Sequence, residues 1–217
     1  MNAQVQTKQA PQGRILLLNV QGSFLHGLWK ASTPPNSTGE PAFSIQAVFP
    51  RNHPQVPELN RLMQEAAVRQ WKDRAADVYR SAIANGKVCV RNGDDKQQYQ
   101  GYAGNLYISA RSKYGPGTGP QNIKVIDQNR QPLTEASGKL LSGCWINLMV
   151  DIFPYTRGSN GIGASLKGVQ FVKAGTEVWG GGVGASAEDF GEVENTAQAA
   201  AEFGDLMGGS STGMPSL

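Results

Sequence analysis

Gly143 to Tyr155, GCWINLMVDIFPY, puts Cys144, Ile146, Leu148, Val150 and Ile152 at every second position, with Trp145, Asn147, Met149, Asp151, Phe153 and Tyr155 between them. Successive side chains leave a strand on opposite sides, so a period of two predicts a strand with one face on a core. The pattern recurs on either side of it. Asn105 to Lys113 (NLYISARSK) sets Leu106, Ile108 and Ala110 against Tyr107, Ser109, Arg111 and Lys113. Gly161 to Val172 closes the series, and its glycines predict a bulge. Nearer the start, Arg14 to Val20 (RILLLNV) reads as a buried strand that Gly22 to Trp29 continues after a bend. Phe43, Ile45, Ala47 and Phe49 alternate in a strand stopped by Pro50. Lys87 to Arg91 (KVCVR) ends in the turn Asn92-Gly93-Asp94-Asp95, and Ile123 to Ile126 forms a further short strand. Ser32 to Pro41 and Gly115 to Pro120 are rich in turn residues and predict loops.

Only Pro57 to Ala84 breaks this rhythm. Leu59, Leu62, Met63, Ala66, Ala67, Trp71, Ala75, Val78, Tyr79 and Ala82 recur at steps of three and four, which predicts one long amphipathic helix with Trp71 and Met63 in the core. Pro57 suits its first turn and Asn85-Gly86 its end. Strands, one helix and more strands over about 160 residues predict a mainly β, α+β chain, either a sheet bearing a helix or a partly open barrel. Residues 1–12 read as a flexible arm, 13–178 as the folded domain, and 179–217 as a Gly/Ala-rich acidic tail with too little apolar surface to fold.

Charge is segregated along the chain. All 20 Lys and Arg lie between Lys8 and Lys173 with ten of the 17 acids, an excess of ten positive charges; Ala174 to Leu217 carries the other seven acids and no base. A basic body with an acidic tail predicts a polyanionic partner with which the tail competes. No apolar run approaches the roughly 20 residues that cross a bilayer, and the first 13 residues lack the core of a secretion signal, so a cytoplasmic setting without a membrane is expected. Cys89 and Cys144 have no neighbouring Cys or His, which predicts neither disulfide nor zinc.

The faces turned away from the core carry the candidate interface. Tyr107, Arg111 and Lys113 share one strand face, Tyr114 follows, and Trp145, Phe153 and Tyr155 hold the corresponding face of another strand. Lys124, Arg157 and Lys167 are interleaved with them, as are Arg130 and Lys139. Rings stack on unpaired bases and cations track phosphates, so the mixture suits a sequence-tolerant binder of single strands; the alternative is that some of these rings fill a second small core. Enzyme readings find less support. Asp94, Asp95 and Asp151 are the carboxylates open to a metal-dependent nuclease, but Asp94 and Asp95 read as turn residues. His26 and His53 lack a partnered nucleophile, and the glycines at 180–184 lack the lysine of a phosphate loop. No catalytic residue, metal or cofactor is expected.

A succession of short motifs then matters more than any one of them. Asn92-Gly93-Asp94-Asp95, Tyr102-Ala103-Gly104, Ile108 to Lys113, Val125-Ile126-Asp127 through Pro132-Leu133, Ser142 to Trp145, Phe153-Pro154-Tyr155, Gly161-Ile162, Leu166 to Phe171 and Ser186 to Phe190 stand in an order that resembles the OB-fold single-stranded-DNA-binding proteins of tailed bacteriophages. The similarity covers about Gly13 to Phe190. It implies a five-stranded OB-type barrel elaborated by the helix, non-specific binding of single-stranded DNA in phage replication and recombination, host-cytoplasmic location, and no catalysis. A basic structural or decoration protein of the phage is the competing reading. The chain departs from the family pattern in running about 27 residues past Phe190. Glu188, Asp189 and Phe190, and Glu202, Phe203 and Asp205, form two acidic-aromatic patches, either docking points for replication and recombination proteins or plain disorder.

Overall fold

A computed structural model describes residues 12–33, 39–119 and 122–180. The predicted arm and acidic tail, including Glu188, Asp189, Phe190, Glu202, Phe203 and Asp205, lie outside the described residues apart from Gln12, Trp179 and Gly180. Among the described residues, seven strands form one sheet: β1 (Arg14–Ser23), β2 (Phe43–Pro50), β3 (Val90–Asn92), β4 (Asn105–Ser112), β5 (Lys124–Ile126), β6 (Trp145–Tyr155) and β7 (Gly161–Lys173). With the helical segments this makes a mostly-sheet α+β fold.

Five of the strands close a ring. β1 pairs antiparallel with β2 and with β6, β2 with β4, and β6 with β7, while β4 meets β7 in parallel at the single pair Arg111–Ser165. β3 adds to β4, and β5 pairs in parallel with β7. Between β4 and β7 runs the segment Lys87 to Cys89: the Cys89 carbonyl accepts from Ser109 N–H, and the Lys87 carbonyl from Ile162 N–H.

The alternation predicted for 143–155 is present. Cys144, Ile146, Leu148, Val150 and Ile152 are buried, and they share a core with Leu17, Val20, Ile45, Ala47, Ile108, Ala110, Leu166 and Val169. The register of β6 against β7 shifts between Met149 and Val150, the irregularity that the glycines of 161–172 foretold. Gly22 to Trp29 does not continue the first strand as a second one. β1 stops at Ser23, and Leu25–Leu28 form a 3-10 turn after Phe24 adopts a left-handed φ of 56°.

The predicted helix runs from Val56 to Ala84 with an interruption. It consists of α1 (Val56–Trp71), a 3-10 turn, and α2 (Ala75–Ala84), with Lys72 at φ 48° and ψ −120° between them. α1 buries Leu59, Leu62, Met63, Ala66, Ala67 and Trp71 over β6 and β7, and α2 buries Ala75 and Ala82 toward β7. The break lets each segment set its own apolar side on a twisted sheet. No helix among the described residues is long and apolar enough to cross a membrane.

Candidate nucleic-acid interface

A groove crosses the outer surface of the ring over the β4–β7 junction. Its first concavity is lined by Lys87, Arg91, Ser109, Arg111, Lys113, Tyr114, Phe153, Tyr155 and Lys167, among others. A second adjoins it, sharing Arg91, Ser109 and Arg111, and adds Phe24, His26, Gln46, Lys96 and Tyr99. A third, sharing Phe24, His26 and Tyr99, ends at Ser142, Trp179 and Gly180. Among the described residues, no Asp or Glu lines any of the three.

Glycines seat the rings of the first concavity. Phe153 pairs across the ladder with Gly163, where an added Cβ would come within 2.7 Å of the Phe153 ring, and the Tyr155 ring lies over Gly161 in the same way. Phe153 remains 41% exposed. Tyr114 lies on Gly119, and Ser112 Oγ both accepts from Tyr114 N–H and donates to its carbonyl. At the far end the Trp179 ring covers Gly101 and Gly143, with its backbone N–H donating to the Ser142 carbonyl at 2.9 Å. A ring resting on a bare glycine keeps its outer surface free for a base.

The loop from Gly93 to Gly104 roofs part of β2 and β4. Asn92 Oδ1 accepts from Asp94 N–H, Asp94 Oδ1 accepts from Gly104 N–H at 2.7 Å, and Arg51 donates to Asp94 Oδ2 at 2.7 Å, to Asn92 Oδ1 and to the Gly104 carbonyl. The Gly104 N–H, with Arg51 adding, holds the Asp94 carboxyl below its ordinary value of 3.8. This clamp presents Lys96 to the rings of Phe24, Tyr99, Tyr102 and Tyr107, at 5.8, 5.7, 5.9 and 5.0 Å from their centres.

The groove gathers six of the ten residues predicted to bind nucleic acid: Arg111, Lys113, Tyr114, Phe153, Tyr155 and Lys167. Tyr107 requires correction. It leaves β4 on the predicted face, but Tyr102 of the loop packs against it with Val48, so it is 2% exposed and offers no surface to a base. The remaining three are not among the lining residues. Trp145 stands at the other end of β6, ten residues or roughly 33 Å from Tyr155 at strand rise, under Lys173 at 5.4 Å. Lys124 is exposed on β5, and Arg157 is exposed in the turn joining β6 to β7.

Lys87, Arg91, Lys96, Phe24, Tyr99 and Trp179 belong to the groove without having been singled out. The cations at the ends of KVCVR were a legible signal. Phe24 and Tyr99 sit in segments without a period, which assigns them no face. The carboxylates considered for a metal do not converge: Asp94 serves the clamp, while Asp151 pairs with Arg14 at 2.6 Å and Lys167 at 3.7 Å.

A sequence profile described as the single-stranded-DNA-binding protein of Enterobacter phage Enc34 matches residues 14–201. The chain belongs to the Enc34 single-stranded-DNA-binding protein family. Protein p50 of Acyrthosiphon pisum secondary endosymbiont phage 1 is 36% identical over 165 residues, 74% of this chain and 85% of that one. Among solved structures, the Enc34 protein in complex with single-stranded DNA superposes with a TM-score of 0.61 at 23% identity, covering 75% of this chain and 88% of the other. The Enc34 protein without DNA gives 0.60 at 22% identity, covering 82% and 90%. At that identity the structural likeness establishes the fold.

Proposed function

We propose that the chain binds single-stranded DNA without sequence preference and coats and protects it during phage DNA replication and recombination. The observation that carries this reading is the groove: glycine-seated rings and six cations in succession, with no carboxylate among the described residues that line it. Family membership supports it. The order of pairing around the ring, with one parallel contact closing it, supports describing the ring as an OB-type barrel. The same groove explains tolerance of sequence, because every base has a π-face and every nucleotide a phosphate. Nothing in this reading requires catalysis.

The acidic stretch after Ala174 is the proposed competitor for the groove and docking arm for replication and recombination proteins, acting in the host cytoplasm. Its support is charge: seven acids without a base, tethered to a body with ten excess positive charges. The test is a titration of labelled single-stranded and duplex oligonucleotides of equal length across a salt series. Preference for single strands with a steep salt dependence is expected, since neutralised phosphates release counterions. Equal affinity for both forms, or affinity indifferent to salt, would refute the reading.

A further inference from the structure

Arg91 stands where the first two concavities meet, and among the described residues it has no carboxylate partner. Its Nη2 donates to Ser109 Oγ at 3.1 Å, and its guanidinium lies 5.2 Å from the centre of the Tyr107 ring. Its Nε is the one buried side-chain nitrogen or oxygen among the described residues without a hydrogen-bond partner. Lys96 shares the Tyr107 ring, and its Nζ donates to Gln46 Oε1 at 3.2 Å. Burial first and the Arg91 charge second push the Lys96 ammonium below its ordinary pKa. Asp95 makes itself felt electrostatically at Tyr107 but is not among the lining residues.

Two partly dehydrated cations beside one ring, with no counterion among the described residues, raise the energy of the free protein. Such a cost persists where a ligand recovers it. We propose that Arg91 and Lys96 form a phosphate subsite on the floor of the groove, taking one backbone phosphodiester of a bound single strand. The inference rests on the single-strand reading above. A guanidinium offers a planar fork that fits two phosphate oxygens, and an ammonium adds a compact charge beside it. The rings fix where the backbone crosses. Phe153, Tyr155 and Tyr114 line one of the two concavities that share Arg91, and Phe24 and Tyr99 line the other, so a strand stacked on both sets carries its phosphates over Arg91.

The test titrates the full chain with an oligothymidylate and with an abasic oligonucleotide of equal length, across a salt series, for wild type, Arg91→Gln, Lys96→Gln and Arg91→Lys. Losing one phosphate contact lowers the slope of log affinity against log salt by about 0.7 for a single strand. Arg91→Gln and Lys96→Gln should each show that drop, with several-fold weaker binding, on both oligonucleotides. Arg91→Lys should keep the slope and lose affinity, because the charge stays and the fork goes. Thermal unfolding of Arg91→Gln should occur no lower than wild type. Unchanged slopes and affinities in variants of a binding wild type would overturn the subsite, as would a loss confined to the base-bearing oligonucleotide, which signals a base contact. An Arg91→Gln protein that melts lower but binds with the wild-type slope would make the residue structural. A wild type that binds neither oligonucleotide would overturn the single-strand reading itself.

Discussion

Phe153 and Tyr155 stay on the surface because the backbone beneath them is glycine, and that gives each ring a separable role in binding. Phe153→Ala and Tyr155→Ala are expected to weaken single-strand binding by roughly 1–3 kcal/mol each, read by fluorescence anisotropy, with unfolding unchanged. Gly163→Ala should mimic Phe153→Ala, since its new Cβ lifts the ring from its seat. Tyr107→Ala belongs to another class. It empties a packed position between Val48 and Tyr102, so it should destabilise the fold by about 3–5 kcal/mol in denaturant titration, as Ile108→Ala should by about 2–5. Normal stability of Tyr107→Ala would place the ring in solvent after all. The alternation of NLYISARSK gave the side of the strand correctly for Tyr107. What it could not give was the cover, because Tyr102 arrives from a loop whose path has no period.

Among the elements, the loop from Gly93 to Gly104 and the joint between α1 and α2 each hang on few interactions. Arg51→Ala should release the loop, exposing it to limited proteolysis and weakening binding through misplacement of Lys96. Asp94 sets the direction of the pH effect: its folded value lies below the unfolded 3.8, so its stabilisation is complete above that value and is lost as pH falls through the folded one. Loop cleavage should therefore rise in acid below about pH 4 and not between 5 and 8. At the joint, Lys72 occupies a backbone region that favours glycine. Lys72→Gly should raise stability by about 1 kcal/mol, measured as a shift in the denaturant midpoint at constant slope. The helix was legible in the spacing of its apolar stripe. The break was not, because Trp71 and Ala75 keep a step of four across it.

At the scale of the whole molecule, the tail and the buried ionisable groups set the response to solution conditions. Truncation after Ala174 should raise single-strand affinity at low salt, with the gain fading as the screening length drops to about 10 Å near 0.1 M. Because this cut also removes Trp179, a second truncation after Gly180 separates the two effects. Toward alkali the fold should weaken. Burial pushes the Cys89 and Cys144 thiols from 9.0 and the Tyr102 hydroxyl from 10.0 to about 12, so the unfolded chain ionises first and stability falls as pH rises from about 9 to 12. Melting temperature against pH reads this directly. The sheet order itself was beyond periodicity, since which strands pair depends on partners up to 137 positions apart, as Arg14 and Asp151 are. The ordered motifs carried that information instead.

The ring closes at one parallel pair, Arg111 with Ser165, and both residues line the groove. β4 is held to β2, β1 to β6 and β6 to β7 through long ladders, whereas the line under the groove where the β1–β2–β4 half meets the β6–β7 hairpin is not. Amide deuterium uptake in the free protein should therefore be fastest along that line and slowest where β1 pairs with β6, reporting opening events far smaller than global unfolding. A single strand lying across the groove touches both halves at once. It should act as a brace, slowing uptake at the junction itself while leaving the already slow β1 and β6 amides where they were.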